Sequence, residues 1–175
     1  MNTSNKCILV VEDEAELRET VAEVMKDITP HVLTAEDGVE ALKHFSINQV
    51  ALVVSDINMP NMNGLQLLRE IRSKDSDVPF IFLTAHSQKS YIAEAFRLGA
   101  TDFIEKPFDI RLLLKMCNSA FELGLAILEA EKEIEESFKD NPLSMEKIKK
   151  LKHCTKKIRL MEIENSINEQ KKTKL

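Results

Sequence analysis

Five short apolar runs, none of them alternating with polar residues, recur along the first two thirds of the chain, at residues 7–11, 32–35, 51–55, 80–83 and 103–104. A strand with one wet face alternates apolar and polar side chains, whereas a Val/Ile/Leu-rich run without alternation is covered on both faces. Between the runs lie amphipathic stretches of helical period, near residues 15–26, 39–45, 64–73, 90–98 and 110–120. Repeats of this kind are met by a parallel sheet with helices on both faces and right-handed crossovers. The predicted fold class is therefore α/β, a doubly wound five-stranded parallel sheet. Turn-forming pairs punctuate it, among them Asp37-Gly38, Pro60-Asn61, Val78-Pro79 and Gly99-Ala100. Gly99 stands where a helix needs a left-handed C-terminal residue.

Beyond Phe121 the pattern changes. Only one Gly and one Pro occur from there to Leu175, and no run reads as a strand. Leu113, Ala120, Ile127 and Ile134 repeat every seven residues, with Met116, Leu123 and Ala130 three residues after the first three. That seam predicts one helix from about residue 109 to 138, continuous with the last helix of the α/β domain. Asp140-Asn141-Pro142 then breaks it. Ser144 is placed to cap a second helix, with Leu143 and Ile148 as a hydrophobic staple. The division expected is 1–121 for the α/β domain and 122–175 for a helical extension, with the break near 140–143. The extension is either an α-helical hairpin within one chain or a coiled coil between two, and the dimer is the favoured form. Charge separates with the helices: net -5 over 122–140, net +6 over 141–175 and net -6 over 1–121. Oppositely charged neighbours favour pairing, within a chain or across a dimer.

The whole-chain charge of -5 argues against a general nucleic-acid binder. No apolar stretch reaches the roughly 20 residues of a membrane span, and no basic-then-apolar leader precedes the first run. Cys7, Cys117 and Cys154 are too few and too scattered for a disulfide framework or a zinc pattern. Cys7 and Cys117 read as small core residues. A cytoplasmic location, with no membrane partner, is the expectation.

Chemistry gathers at the carboxyl ends of the runs. Glu12 and Asp13 end the first, Asp56 the third, Thr84 the fourth, and Lys106 follows the fifth. In open parallel sheets that edge is where ligands bind. Any one of these residues has a bland reading: the two acids could favour the start of the next helix, the Thr could close a strand and the Lys could be solvated. Together they describe a site. Three carboxylates on one edge repel without a cation, and an all-oxygen set suits Mg2+, which leaves shell positions for phosphate oxygen. Asp56 could then act as a nucleophile and form an acyl phosphate, with Lys106 and Thr84 holding the phosphoryl oxygens.

The motifs Val10-Val11-Glu12-Asp13-Glu14, Ser55-Asp56-Ile57-Asn58-Met59-Pro60-Asn61-Met62-Asn63-Gly64, Leu83-Thr84-Ala85 and Phe103-Ile104-Glu105-Lys106-Pro107-Phe108 resemble the receiver domain of two-component response regulators. Their order and spacing fit over about 115 residues. The resemblance implies a flavodoxin-like sheet ordered 2-1-3-4-5. It implies phosphorylation of Asp56 from the phosphohistidine of a histidine kinase or phosphotransfer protein. It further implies Mg2+ on Glu12, Asp13, Asp56 and the backbone carbonyl of Asn58, and a switch in which Thr84 swings and Phe103 turns inward. Lys106 would bond the phosphoryl group and Pro107 would follow a cis peptide bond. Asn58 and His86 occupy the positions that tune self-dephosphorylation in this family.

The expected function is a response regulator, self-phosphorylating and self-dephosphorylating rather than an enzyme with turnover. Phosphorylation would switch helix-mediated dimerisation or the binding of a downstream partner protein. The alternatives are a constitutively dimeric adaptor or phosphorelay sink, and a transcription regulator binding DNA through the basic stretch after residue 146. That stretch lacks aromatic residues for base stacking, so DNA is the lesser alternative. His153 lacks the acid that follows a kinase phosphohistidine and reads as an ordinary helix-face residue.

Overall fold

The computed structural model describes residues 6–74, 77–85 and 89–137. Five strands, β1 (Lys6–Val11), β2 (Val32–Ala35), β3 (Gln49–Asp56), β4 (Phe80–Ala85) and β5 (Asp102–Lys106), alternate with α1 (Ala15–Met25), α2 (Gly38–Ile47), α3 (Gly64–Ser73), α4 (Lys89–Arg97) and α5 (Ile110–Ser137). All strand pairs are parallel and the order is β2-β1-β3-β4-β5, as the resemblance implies. The expected second helix from Ser144, the break at 140–143, and His86 and His153 lie outside the described residues.

Non-alternating strands follow from the layers. Successive side chains point to opposite faces of a sheet, and here both faces are covered. Leu9, Val11, Val53, Phe80 and Phe82 face a layer that includes Ala41, Leu65, Leu68 and Ile71. Ile8, Val10, Leu52, Val54 and Ile81 face Val21, Met25, Leu113 and Cys117. Each such fully buried side chain contributes about 1.5–3 kcal/mol. Cys7 and Cys117 are buried free thiols within these layers. Burial pushes their pKa up to about 11 and about 12 respectively, so both stay protonated and unreactive near neutrality.

Helix starts are written locally. Asp37 caps α2 by accepting from Glu40 N at 2.8 Å. Asn63 and Gln66 form a capping box at α3. The Asp109 carboxylate accepts from Arg111 N and Leu112 N at the start of α5. Gly99, with φ 85°, closes α4 in the left-handed conformation expected of it.

The chain separates into two compact units, Met1–Leu128 and Glu129–Leu175. Within the first, α5 buries Leu113, Cys117, Ala120, Phe121 and Gly124, spaced three and four residues apart as one helix face requires. The front half of the heptad seam, Leu113, Met116 and Ala120, is therefore packed into the domain's own core, while Leu123 is half-exposed. Of the second unit the described part is the end of α5, from Glu129 to Ser137. Among the described residues no helix is long and apolar enough to cross a membrane.

Gly124 lies directly on the backbone of β3. A Cβ there would stand 1.7 Å from the Ala51 carbonyl oxygen. Gly124→Ala gains about 1 kcal/mol of helix propensity but forces the helix off the sheet. The expected net result is destabilisation by about 1–3 kcal/mol, typical of overpacking, read by chemical denaturation. A more stable variant would show that the helix can slide away at no cost.

Candidate phosphoacceptor site

Four strand ends build the site. In the parallel register Val11 lies beside Ser55, Asp56 beside Leu83, and Ala85 beside Lys106. Residues separated by up to 94 positions in sequence therefore share one edge. Glu12, Asp13 and Asp56 each offer a carboxylate oxygen, all lying within 4.8 Å of one another. Lys106 Nζ donates to Asp56 Oδ1 at 2.6 Å and to Glu12 Oε2 at 2.8 Å. The bland reading of Lys106 as a solvated side chain therefore does not hold, and Glu12 faces the ammonium rather than serving only as a helix-start acid. The Lys106-Pro107 peptide bond is cis.

Burial decides the electrostatics. Glu12 is 2% exposed and Asp56 6%, whereas Asp13 is exposed. Burial, the largest influence, pushes the Glu12 carboxyl above its ordinary pKa; the bond and charge of Lys106 pull it back, and the charge of Asp56 adds to the rise. For Lys106, burial alone would lower the pKa, but the bonds to Asp56 and Glu12 outweigh it and hold the ammonium charged. A simple ion pair would depress its acid and raise its base, and Glu12 does the opposite. The shorter bond of Lys106 goes to Asp56, so Glu12 is the less well satisfied partner. A divalent cation would relieve it. The hard oxygen donors, their close grouping and this excess of buried negative charge fit Mg2+.

The remaining predicted residues are placed as follows. Thr84 is buried at 3% exposure, and its hydroxyl donates to the Ala85 carbonyl at 3.2 Å. Asn58 N donates to Asp56 Oδ2 at 2.6 Å, so the loop after β3 already grips the carboxylate by its second oxygen. Phe103 is half-buried. Its ring stacks on Phe82 at 5.6 Å between centroids and tilts against Phe96 at 4.8 Å.

Sequence reasoning missed the residues that hold the loops. Arg18 Nη1 donates to the carbonyls of Glu12 and Asp13, at 2.7 and 3.3 Å, fixing the backbone that carries both acids. Asp37, beyond capping α2, accepts from Asn61 Nδ2 at 2.6 Å. No local pattern marks either contact, since each joins residues from different elements. Gly64 was legible as a helix start and as the end of the motif that begins at Ser55, but not for its packing. A Cβ there would lie 2.2 Å from the Asp56 carbonyl oxygen, so the tight turn after β3 needs glycine.

A doubly wound parallel sheet with an acid cluster, a bridging lysine and a strand-end threonine at its carboxyl edge defines a receiver-type domain with a Mg2+ site. The chain belongs to the response regulator receiver domain family, whose model matches residues 8–118. It is 33% identical over 122 residues to the C4-dicarboxylate transport transcriptional regulatory protein DctD of Pseudomonas aeruginosa, a match covering 70% of this chain and 26% of that protein. It is 39% identical over 120 residues to the probable transcriptional regulator ycf27 of Guillardia theta, covering 65% and 47%. The chain thus spans less than half the length of these two relatives. Among solved structures, a response regulator receiver domain protein from Clostridium thermocellum matches with a TM-score of 0.62 at 28% identity, covering 67% of this chain and 94% of that one. The receiver domain of NtrX from Brucella abortus matches with a TM-score of 0.62 at 35% identity, covering 66% and 98%.

Proposed function

We propose that Asp56 is the phosphoacceptor of a signalling switch. The observation that carries this reading is the Asp56 carboxylate held at both oxygens, by Lys106 Nζ on one side and Asn58 N on the other. An Asp56 oxygen attacks the phosphorus of a phosphohistidine on a kinase or phosphotransfer protein. The new O–P bond forms as the P–N bond breaks, and the imidazole leaves with the electron pair. Glu12, Asp13, Asp56 and the Asn58 carbonyl would hold Mg2+, which supplies neutralising charge for the phosphoryl oxygens when bound. Lys106 follows the transferred group as a hydrogen-bond donor. Thr84 turns its hydroxyl toward the phosphoryl group, and Phe103 moves further into the space beside Phe82. Asn58 and His86 set how readily water reaches the acyl phosphate.

The functional division we propose is 1–121 for the phosphoacceptor domain and 122–175 for a helical output segment, although contact with the core continues to Leu128. The output we propose is helix-mediated dimerisation or capture of a partner protein. It is supported by the continuation of α5 past Gly124, with half-exposed Leu123 and the further heptad positions Ile127, Ala130 and Ile134. Sedimentation of the full chain with Mg2+, with and without beryllofluoride as phosphoryl mimic, tests this. A mimic-dependent shift from monomer to dimer is the expected result. A dimer in both states would make the helices a constitutive scaffold, and a monomer in both would remove dimerisation as the output.

A further inference from the structure

The loop from Ile57 to Asn63 is pinned to the start of α2 at two adjacent points. Asn61 Nδ2 donates to Asp37 Oδ2, and Gly38 N donates to the Met62 carbonyl at 3.0 Å. The approach is close: a Cβ on Gly38 would lie 2.7 Å from that same carbonyl oxygen. At its other end the loop is tied by Asn58 N to Asp56 Oδ2. Asn58 is therefore itself one anchor, three residues from the other at Asn61.

Capping α2 does not account for these choices. A cap needs one side-chain oxygen, and Ser supplies it as well as Asp does. Asp37 uses Oδ1 for the cap and Oδ2 for Asn61, and it is only 6% exposed. Asn61 has φ 59°, a left-handed conformation that glycine adopts with less strain. The amide of Asn61 gives the position a use that glycine would not.

We propose that Asp37 is a positioning residue for the metal site: by seating Asn61 it fixes the β3–α3 loop and aims the Asn58 carbonyl at the acid cluster. The proposal rests on the reading of that carbonyl as a Mg2+ ligand. An outer contact of this kind acts through the ligand it orients, and its loss weakens metal binding on the order of tenfold. Asp37 itself touches neither metal nor phosphoryl group.

The test is calorimetric titration of the full chain with MgCl2, paired with thermal melts in chelator. Asn61→Gly removes the amide while keeping the backbone conformation. Asp37→Ser keeps the α2 cap but loses the reach to Asn61. Each is expected to raise the Mg2+ Kd on the order of tenfold, and the double variant to bind no more weakly than the worse single one, since both delete the same bond. A lowered Tm with an unchanged Kd overturns the proposal, because a purely structural brace would do that. So does a double variant in which the two effects multiply. Asp13→Asn separates the two readings. If it weakens binding while Asn61→Gly does not, the brace fails and the metal site stands. If Asp13→Asn binds Mg2+ as the wild type does, the metal reading fails and the brace falls with it.

Discussion

Asp56→Asn is expected to reduce labelling by a small phosphodonor with Mg2+ to background, while the domain stays folded. The substitution is nearly isosteric. The Asn carbonyl oxygen can still accept from Asn58 N, which now holds Asp56 Oδ2 at 2.6 Å, and Lys106 keeps its bond to Glu12. What is lost is the anionic nucleophile, because a neutral amide has no carboxylate oxygen to form the acyl phosphate. Removing one of three clustered carboxylates also relieves their mutual repulsion, so the variant should melt no lower than the wild type in chelator. Intact-mass spectrometry after incubation with the donor checks the first point, and a melt the second. Retention of a phosphate adduct in a folded variant would move the phosphoacceptor to another residue.

The second large effect belongs to Lys106→Met. The lysine side chain is 23% exposed, and its partners Glu12 and Asp56 are 2% and 8% exposed at the side chain. Deleting the cation of this trio leaves two buried carboxylates uncompensated, at a cost of about 3 kcal/mol, the low end for breaking a buried pair. That loss should appear near neutral pH in chelator. It should shrink when Mg2+ is added, because the ion replaces the missing positive charge.

Acid should shrink it as well. The folded-state pKa of Glu12 lies above its ordinary value, chiefly through burial, so between the unfolded and folded values the folded protein holds the extra proton. Stability then rises as pH falls toward the unfolded value of about 4.3 and is lost as pH rises through the folded one. Lys106 opposes that rise in the wild type, so its removal steepens the dependence. Denaturation of both proteins from pH 5 to 8 reads the difference directly. Equal stability in chelator at neutral pH, or parallel pH profiles, would mean that the ammonium contributes nothing to the folded state.

Lys106 illustrates what a linear reading can reach. That a lysine followed a strand was visible in Phe103-Ile104-Glu105-Lys106-Pro107. That its ammonium bridges Glu12 and Asp56, 94 and 50 positions away, depends on strand order, and non-alternating strands reveal burial but not their neighbours. The motif resemblance supplied the order, and the sheet has it. Strand and helix positions were legible for a local reason: apolar runs, caps such as Asn63 and the glycine at 99 are short-range signals. The strand ends were the weaker part. β5 extends from Asp102 to Lys106, whereas its apolar signal covers only two residues, because an edge strand needs fewer buried side chains.

Apolar periodicity and turn residues along the chain are enough to specify a parallel α/β domain with acids, a hydroxyl and an ammonium at its strand ends. Periodicity and strand-end position are properties of neighbouring residues, and neighbours are what a sequence records. Which surface covers each apolar stripe, and which side chains hold the loops, follows from packing between distant elements. The heptad positions Leu113 and Ala120 suit a coiled coil and a sheet-packed helix equally, since an apolar face specifies burial without specifying a partner. The fold places them on its own sheet. Arg18, on the backbone of the acid pair, and Asp37, on Asn61, became visible for the same reason: a hydrogen bond between elements exists only once packing has brought its donor and acceptor together.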